Sequence, residues 1–453
     1  MRSLRKNVMK SFDVLGLNPI LMEKIKALGL TEPTPIQYQA IPHVLNGRDV
    51  MGLAQTGTGK TAAFGLPIAH RLMENRQKPR PKSVRALILA PTRELAKQIQ
   101  EAIKIFVKGS PMKVGMVVGG LSINPQIYKM QKGMDILVAT PGRLIDLLER
   151  KAITLEFTNY LVLDEADQML DLGFIHALRK ISKLLPEQKQ TMLFSATMPK
   201  LMSEIADTYL NRPIRIEVNP PGKVADKITQ SVYFVTQGDK PDLLKSLLSK
   251  HEAKRALVFL RTKHSAEKLM KSLVNQGFKA NSIHGNKSQG QRDRALQAFK
   301  DGSIKVLVAT DVAARGIDIP EVEFIYNFDL PNVPENYVHR IGRTARAGAS
   351  GIAIAFCAMT EMKDFLAIER KLRLNIDVAG GVRWEKVPEE LAKRTHRGKQ
   401  NSKKPSKGNK KSFNRSNNLN DKDGVQFTRD HGTQQKYKKK KRRSGVRIKK
   451  KTL

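Results

Sequence analysis

The chain has 453 residues, which predicts two domains and a further segment rather than a single domain. Its formal net charge is +39, so nucleic acid is the favoured partner and an anionic membrane surface is the second candidate. The single cysteine, Cys357, excludes an intramolecular disulfide and a cysteine-based zinc site, and it favours a reducing, cytoplasmic compartment.

Short apolar runs alternate with longer amphipathic stretches from residue 49 onward. The runs of the first half are nearly continuously apolar and cover residues 49–54, 86–91, 114–120, 135–141, 160–167 and 191–197. Such runs are typical of strands covered on both faces of a parallel sheet, and the stretch 94–106 is typical of an amphipathic helix between them. The alternation predicts a doubly wound α/β domain over residues 1–217.

A second α/β domain is predicted over residues 228–384. Pro220, Pro221 and Gly222 indicate a linker over 218–227. The alternation then resumes in apolar runs at 231–235, 255–260, 305–311, 322–328 and 351–357. The sequences ILVATPGR (136–143) and VLVATDVAAR (306–315) are alike, which suggests that the two domains are related units.

The end of the chain has a different composition. Residues 391–453 hold 23 Lys and Arg against three Asp, with few aliphatic residues. This composition predicts a disordered basic tail over 385–453 that attracts polyanions. No apolar stretch of the chain approaches the ~20 residues that a transmembrane helix needs, so we expect no membrane span.

The sequence AQTGTGKT (54–61) directly follows the first predicted strand and matches P-loop spacing, except that Ala54 replaces the first glycine. Glycines allow a tight turn whose amides converge on phosphate oxygens, and the following helix adds its positive end. Lys60 supplies a charge for the outer phosphates, and the Thr61 hydroxyl can bind Mg²⁺. A glycine-rich turn that binds nothing is the alternative, and the complete GKT disfavours it. The predicted nucleotide-binding residues are Ala54, Gln55, Thr56, Gly57, Thr58, Gly59, Lys60 and Thr61.

Carboxylates end the run YLVLDEAD (160–167), at the strand end where open α/β sheets bind ligands. A P-loop enzyme needs one carboxylate for Mg²⁺ and one group that orients the attacking water. We assign Asp164 to Mg²⁺ and Glu165 to the water and its proton. A solvated strand end is the alternative, which the nearby P-loop disfavours.

Asp164-Glu165-Ala166-Asp167 spells the name of the DEAD-box family of ATP-dependent RNA helicases, and the chain resembles this family over about residues 10–375. The resemblance implies two RecA-like domains, ATP as the nucleotide, and RNA-stimulated hydrolysis that closes the domains and opens short RNA duplexes. The stretch SIHGNKSQGQRDRALQAFK (282–300) resembles the bacterial RhlE-type subgroup. That likeness implies work on ribosomal precursors or with RNA-degradation machinery. Separately, we expect the core to be monomeric.

The resemblance also implies further ATP-site residues. The segment GLTEPTPIQ (29–37) resembles the family's adenine-reading segment, in which the Gln37 amide reads the base edge. Phe12 stands where the family places a ring that stacks on the base.

In the second domain, HRIGRTARAG (339–348) resembles the segment whose two arginines reach the γ-phosphate, here Arg343 and Arg346. Ala345 replaces the glycine that is usual in the family. Gly316 and Asp318 resemble the nucleotide side of the same cleft.

The segment SAT (195–197) resembles the one that couples hydrolysis to duplex opening. We expect the Ser195 and Thr197 hydroxyls to bond Asp167 and the second domain, with His339 as a further coupling residue.

An RNA path along both domains is also implied by the resemblance. Its residues carry guanidinium groups, hydroxyls, amides or no side chain, which suits contact with the sugar-phosphate backbone rather than with bases. They are Thr92, Arg93, Gly119, Gly120, Thr140, Gly142 and Arg143 in the first domain and Arg261, Gln289, Arg292 and Thr310 in the second.

Three other functions remain open at this point. An RNA clamp or annealing chaperone would use ATP only to set how long it holds RNA. A DNA-directed translocating helicase is disfavoured by DEAD in place of DEAH. Membrane association through the basic tail is the third.

Overall fold

Two parallel β-sheets organise the described part of the chain. The computed structural model describes residues 11–54, 57–218, 228–252, 254–314, 322–344 and 350–384. We call the described residues of 11–218 lobe 1 and those of 228–384 lobe 2. Most of the predicted linker and the whole predicted tail, 385–453, lie outside the described residues.

Lobe 1 alternates strands with helices. Its described strands are β1 (Val50–Leu53), β2 (Val84–Leu89), β3 (Val114–Val117), β4 (Met134–Ala139), β5 (Tyr160–Leu163), β6 (Gln190–Ser195) and β7 (Ile214–Glu217). After a 3-10 helix (Phe12–Leu15), its described helices are α1 (Pro19–Ala27), α2 (Pro35–Leu45), α3 (Lys60–Glu74), α4 (Arg93–Phe106), α5 (Asn124–Met130), α6 (Pro141–Glu149), α7 (Ala166–Asp171), α8 (Ile175–Ser182) and α9 (Lys200–Tyr209).

Lobe 2 repeats this alternation. Its described strands are β8 (Ile228–Phe234), β9 (Ala256–Leu260), β10 (Ala280–Ile283), β11 (Val306–Thr310), β12 (Phe324–Asn327), β13 (Gly351–Cys357) and β14 (Asp377–Gly380). Its described helices are α10 (Lys240–Lys250), α11 (Lys263–Asn275), α12 (Gln289–Lys300), α13 (Asp311–Ala314), α14 (Pro334–Ile341) and α15 (Met362–Leu372), with a 3-10 helix (Met359–Glu361) before α15.

The two sheets have the same strand order. Among the described residues the sheet of lobe 1 runs β3-β4-β2-β5-β6-β1-β7, and that of lobe 2 runs β10-β11-β9-β12-β13-β8-β14. Every pairing within these sheets is parallel, with Val50 opposite Met192 in one and Val306 opposite Ala256 in the other. The similar sequences ILVAT and VLVAT occupy equivalent strands, β4 and β11. The predicted doubly wound fold is confirmed, and the two lobes share one topology.

The central strands are mainly apolar because helices cover both faces of each sheet. In lobe 1, Leu87 and Leu161 belong to one buried cluster, and their neighbours Ile88 and Val162 belong to the cluster on the opposite face. Side chains alternate between the faces of a strand, so a strand with two covered faces needs apolar residues at every position. This pattern made the central strands predictable.

Three strands were not predicted from the sequence: β7, β10 and β14. Each lies at an edge of its sheet. In β7 and β14 several residues are exposed, and the first half of β10 is only partly buried. An edge strand needs fewer apolar residues, and DVAG or ANSI therefore carries little strand signal.

Candidate functional site

The phosphate-binding loop places a buried glutamine against its second glycine. Gly57 and Gly59 have φ angles of 85° and 88°, and α3 begins at Lys60 directly after them. The Gln37 amide donates to the Gly59 carbonyl at 3.0 Å and accepts from the Thr34 amide at 2.9 Å. A Cβ atom at position 59 would overlap the Gln37 side chain, so both the φ angle and the contact require glycine there.

Lys60 joins this loop to the DEAD segment. Its side chain is 6% exposed, and Nζ donates to the Ala54 carbonyl at 3.2 Å. The same nitrogen lies 3.8 Å from Oδ1 of Asp164. The ammonium group therefore lies between the start of the loop and the strand β5 carboxylate.

Asp164 is a buried carboxyl group with an altered acidity. It is 2% exposed, and its Oδ1 accepts from the Glu165 amide at 3.0 Å. Burial raises the pKa of Asp164 to about 6, with Glu165 and Asp167 adding to the rise while Lys60 opposes it. A cation beside this carboxylate would favour its charged form, and the Asp164 carboxylate and the Thr61 hydroxyl fit the oxygen donors that Mg²⁺ uses.

This acidity predicts a pH-dependent cost to folding. The pKa of Asp164 is higher in the folded protein than in the unfolded chain, so its stabilising contribution is complete below pH 3.8 and is lost as the pH rises through about 6. In EDTA without nucleotide, the unfolding free energy of Asp164→Asn relative to the unmodified chain should increase by about 3 kcal/mol between pH 4 and pH 7. Urea unfolding across this range measures the difference.

The matched control is Asp207→Asn, since Asp207 is an exposed residue of the same lobe. The difference in unfolding free energy between Asp207→Asn and the unmodified chain should not change with pH in this way. If the unfolding free energies of Asp164→Asn and the unmodified chain changed in parallel with pH, the raised pKa of Asp164 would be contradicted.

Glu165 adopts a strained backbone conformation. Its φ and ψ are both 51°, in the left-handed region that few residues other than glycine occupy, and it is 2% exposed. Such strain persists only where the surroundings hold it, and it concentrates at functional sites. This residue directly precedes α7.

Asp167 connects α7 to the SAT segment. Its Oδ2 accepts from the Thr197 amide and hydroxyl, each at 2.9 Å, and from the Ala196 amide at 3.2 Å. Ser195 differs from the expectation because its hydroxyl donates to the Thr197 carbonyl at 2.7 Å. Within SAT, Thr197 contacts Asp167 and Ser195 supports the turn that presents Thr197.

A cavity of about 470 Å³ has walls from both lobes. Asp167 and Thr197 line it from lobe 1, and His339 and Arg343 line it from lobe 2. The Arg343 Nε donates to the His339 carbonyl at 3.2 Å. Three of the four predicted coupling residues, all except Ser195, and one of the two predicted arginine fingers therefore face one space.

Arg340, in the same segment as Arg343, has a structural role that the sequence did not indicate. It is 2% exposed and bonds both oxygens of Asp311, at 2.6 and 2.8 Å. It also donates to Asn327 and to the Asp329 carbonyl. These contacts anchor α14 to the sheet.

The remaining predicted nucleotide-binding residues are placed as follows. The Phe12 side chain is 2% exposed and packs in the core of lobe 1. Thr58 and Thr61 are partly buried at the loop and the first turn of α3. Gln55, Thr56, Gly316, Asp318 and Arg346 lie outside the described residues.

The predicted RNA residues of lobe 1 form one group. The Arg93 guanidinium lies where a Cβ atom of Gly120 would be, and Gly120 has a φ of 71°. The Gly119 amide donates to the Thr140 hydroxyl at 3.4 Å, and Arg143 donates to the Leu121 carbonyl at 3.0 Å. Close approach to Arg93 thus requires glycine at position 120. Of the others, Thr92 caps α4 by accepting from the Leu95 amide, and Gly142 is exposed in the first turn of α6.

This group contacts lobe 2 through Glu94, which sequence analysis missed. Oε1 of Glu94 accepts from Gln289 at 3.0 Å and pairs with Arg292 at 3.1 Å. Arg93 donates to Gln289 at 3.3 Å. In the sequence, the available signal was a carboxylate inside PTREL (91–95), among residues suited to phosphate. In the fold, Glu94 is 5% exposed, and a buried acid needs a cationic partner.

Three arginines of the predicted RNA path lie near one another. The pKa of Arg93 is below its ordinary value, first because of burial and further because of the positive charges of Arg292 and Arg143, while Glu94 opposes the shift. Like charges repel, so such a group favours an anion between them.

Arg261 and Thr310 do not belong to the group formed by Arg93, Glu94, Gln289 and Arg292. Arg261 donates to Asp364 at 2.7 Å and to Glu361 at 3.3 Å. Glu361 also pairs with the buried Lys240. Thr310 ends β11, next to the short helix α13, whose Ala313 carbonyl accepts from Arg292 at 3.4 Å.

Two family models match the chain. The DEAD/DEAH box helicase model matches residues 34–205, and the helicase conserved C-terminal domain model matches residues 239–348. A DEAD-box ATP-dependent RNA helicase CshA of Bacillus cereus is 43% identical over 369 residues, which are 82% of this chain and 69% of the relative. None of these matches tests the RhlE-type likeness, which stays a prediction.

Solved structures agree with this assignment. S. cerevisiae Dbp5 bound to RNA and ADP BeF3 matches with a TM-score of 0.73 at 33% identity, over 85% of this chain and 99% of that one. Mss116p bound to ssRNA and AMP-PNP matches with a TM-score of 0.74 at 29% identity, over 83% of this chain and 80% of that one. The predicted pair of RecA-like domains is confirmed. The chain belongs to the DEAD-box family of ATP-dependent RNA helicases.

Proposed function

We propose that binding of ATP and RNA closes the two lobes of this protein and opens short RNA duplexes locally, and that RNA-stimulated ATP hydrolysis resets the open arrangement. The observation that carries the proposal is the cavity in which Asp167 and Thr197 of lobe 1 face His339 and Arg343 of lobe 2. A γ-phosphate bound beside the DEAD segment would then contact both lobes. ATP would favour the closed arrangement because only that arrangement gives it the second set of contacts.

Each ATP-site residue has a proposed role. The Gly57–Gly59 turn and Lys60 hold the phosphates, Gln37 contributes to base recognition, and Arg343 contacts the γ-phosphate. Glu165 orients the water and takes its proton. Mg²⁺, when bound by Asp164 and Thr61, would neutralise charge on the phosphates. Gln55, Thr56, Gly316, Asp318 and Arg346 stay proposed members of this site.

RNA would also favour the closed arrangement by binding arginines of both lobes. Arg93 and Arg143 of lobe 1 and Arg292 of lobe 2 would share one phosphate backbone, which relieves their mutual repulsion. Since ATP and RNA both favour the closed state, each should raise the affinity for the other. Glu94 would hold Gln289 and Arg292 in place between ligands.

The test compares ATP hydrolysis with and without oligouridylate in the unmodified chain and in Glu94→Gln. RNA should stimulate the unmodified protein. The variant should need a higher RNA concentration for half-maximal stimulation, because the amide forms weaker contacts with Arg292. Glu101→Gln is the matched control, since Glu101 is an exposed acid of the same helix.

Absence of RNA stimulation in the unmodified chain would overturn the proposed coupling. A normal RNA dependence in Glu94→Gln would remove only the role of Glu94. A strand-displacement assay on short and long duplexes separates local opening from the alternative of an RNA clamp, which would hold RNA without displacing a strand.

The basic tail is proposed to tether the core to RNA by nonspecific charge contacts. Removing residues 391–453 takes away 23 Lys and Arg. RNA binding should weaken, and its dependence on salt should become shallower because fewer counterions are released. Fluorescence anisotropy at several salt concentrations measures both. Equal affinity for the full and shortened chains at every salt concentration would refute the tether.

The cellular setting is also a proposal. Work on ribosomal precursors or in RNA turnover, by a monomeric core in the cytoplasm, is supported by the resemblance to bacterial relatives. Within the described ranges, no helix has the length and apolar character needed to cross a bilayer. Lipid flotation tests the remaining alternative of surface attachment through the tail. Sequencing of RNA crosslinked to the protein in cells tests the target class.

A further inference from the structure

An open basic pocket of about 520 Å³ lies on lobe 2, outside the residues assigned above. It is formed by α11 and by the segment between β10 and α12. Four lysines line it, Lys263, Lys268, Lys271 and Lys287, together with a single carboxylate, Glu267. A pocket of this size can hold part of a polyanionic chain.

Helical spacing places the lysines of α11 on one side. Lys263 and Lys271 lie eight residues apart, with Glu267 midway, and Lys268 follows Glu267. The opposite side is buried through Ala266, Leu269 and Leu273. Residues four apart share a helix face, so the sequence of α11 builds one apolar face and one basic face.

The Glu267 carboxylate already contacts several neighbouring hydrogen-bond donors. Glu267 accepts from Ser282 at 2.7 Å and from Lys287 at 2.9 Å, and it lies 3.0 Å from Nε2 of His284. Burial alone would raise its pKa, but the hydrogen bonds from His284, Lys287 and Ser282 lower the pKa to about 2. Glu267 therefore stays charged and fixes the pocket wall.

The other lysines keep their charge uncompensated. Lys263, Lys268 and Lys271 are exposed, and none forms an ion pair with another of the described residues. With the histidines neutral, four lysines and one glutamate give the pocket a net charge of +3. Clustered charge of one sign in a concave site attracts an anion of the opposite sign.

We propose that this pocket is a second RNA-binding site, which holds the phosphate backbone of a strand that extends beyond the path between the lobes. The inference rests on the proposed RNA path. Arg261 of that path stands two residues before α11, and Gln289 lies on α12, whose Gln291 lines the pocket. The pocket and these two residues of the proposed path thus belong to the same or adjoining elements, so a longer RNA strand is the expected occupant rather than an acidic polypeptide.

The test reverses two charges in the full-length protein. Lys268→Glu with Lys271→Glu should weaken binding of a long oligouridylate by about 10- to 30-fold at 0.1 M salt. The plot of log K for RNA binding against log salt concentration should become shallower by about 1.4, which corresponds to the loss of two phosphate contacts on a single strand. A short oligouridylate that fills only the path between the lobes should stimulate ATP hydrolysis to the same maximal rate.

The matched control is Lys250→Glu with Lys300→Glu, which makes the same charge change at exposed lysines of lobe 2 outside the pocket. It should bind long RNA with the unmodified slope. Equal losses in both double variants would overturn the inference, because they would indicate a general field effect.

A crosslinking experiment locates the RNA directly. The chain has one cysteine, Cys357, which is buried and whose thiol has a pKa raised to about 12 by burial. A photoreactive maleimide will therefore label Lys268→Cys selectively. Long oligouridylate should crosslink at this position and not at Lys300→Cys, whereas equal crosslinking at both would overturn the inference.

Two further outcomes would also overturn it. One is unchanged long-RNA affinity and salt slope in Lys268→Glu with Lys271→Glu. The other is loss of polyglutamate binding in that variant with RNA binding intact, which would assign the pocket to an acidic polypeptide. Neither outcome alters RNA stimulation of the unmodified chain, so failure here is distinct from failure of the proposed function.

Discussion

Replacing Glu165 by glutamine should slow ATP hydrolysis by about 10²- to 10⁴-fold, the usual contribution of a positioned general base. Glutamine has nearly the same shape, so the strained turn at φ 51° and the burial of the side chain should persist. The amide cannot take a proton from water. ATP binding should survive, because Lys60, which donates to the Ala54 carbonyl, and the Gly57–Gly59 turn are unchanged in this variant.

The variant should also hold RNA longer than the unmodified protein does. If closure needs bound ATP and opening needs hydrolysis, blocked hydrolysis keeps both ligands in place. Single-turnover hydrolysis and RNA dissociation in the presence of ATP measure the two effects. Glu187→Gln, an exposed acid of lobe 1, is the control. Hydrolysis by Glu165→Gln within a few-fold of the unmodified rate would remove the proposed role.

Replacing Arg343 by alanine should slow hydrolysis by about 10³- to 10⁵-fold, the range that arginine fingers contribute to phosphoryl transfer. The side chain is 5% exposed and lines the cavity shared with Asp167 and Thr197. It would meet nucleotide only from lobe 2. ATP affinity should change little, because Lys60 and Gln37 belong to lobe 1. The expected loss therefore falls on kcat rather than on KM.

Lysine at position 343 separates charge from geometry. It keeps the positive charge but loses the planar fork that can contact two phosphate oxygens, so Arg343→Lys should stay well below the unmodified rate. Arg370→Lys on α15, an exposed arginine of lobe 2, should hydrolyse normally. Full activity of Arg343→Lys would mean that charge alone is needed. Full activity of Arg343→Ala would contradict the arginine-finger role.

Local sequence predicted the elements that carry chemistry. The strand-loop-helix around AQTGTGKT was predictable because β1 is apolar at buried positions and α3 starts at Lys60. The same holds for the DEAD segment after β5. Edge strands were harder: β10 and β14 are short and partly exposed, so their residues carry no continuous apolar signal.

Partners distant in sequence could not be inferred from local patterns. Glu94 accepts from Gln289 across 195 residues, and nothing near PTREL indicates that donor. Similarly, HRIGRTARAG contains several arginines of equal local character. The family resemblance assigned Arg343 to the cleft, and the fold adds that Arg340 anchors to Asp311 while Arg343 faces the cavity.

The sequence by itself determined the family, the pair of parallel α/β lobes and the residue types at the phosphate loop and the DEAD segment. These features depend on spacing along the chain and on which positions must be apolar. The tertiary structure alone decided which carboxylate joins Arg292, that Arg340 anchors to Asp311, and that four lysines of α11 and the β10–α12 segment form one pocket. The physical reason is that charge and hydrogen-bond partners are set by distances in space, which only the packing of strands and helices defines.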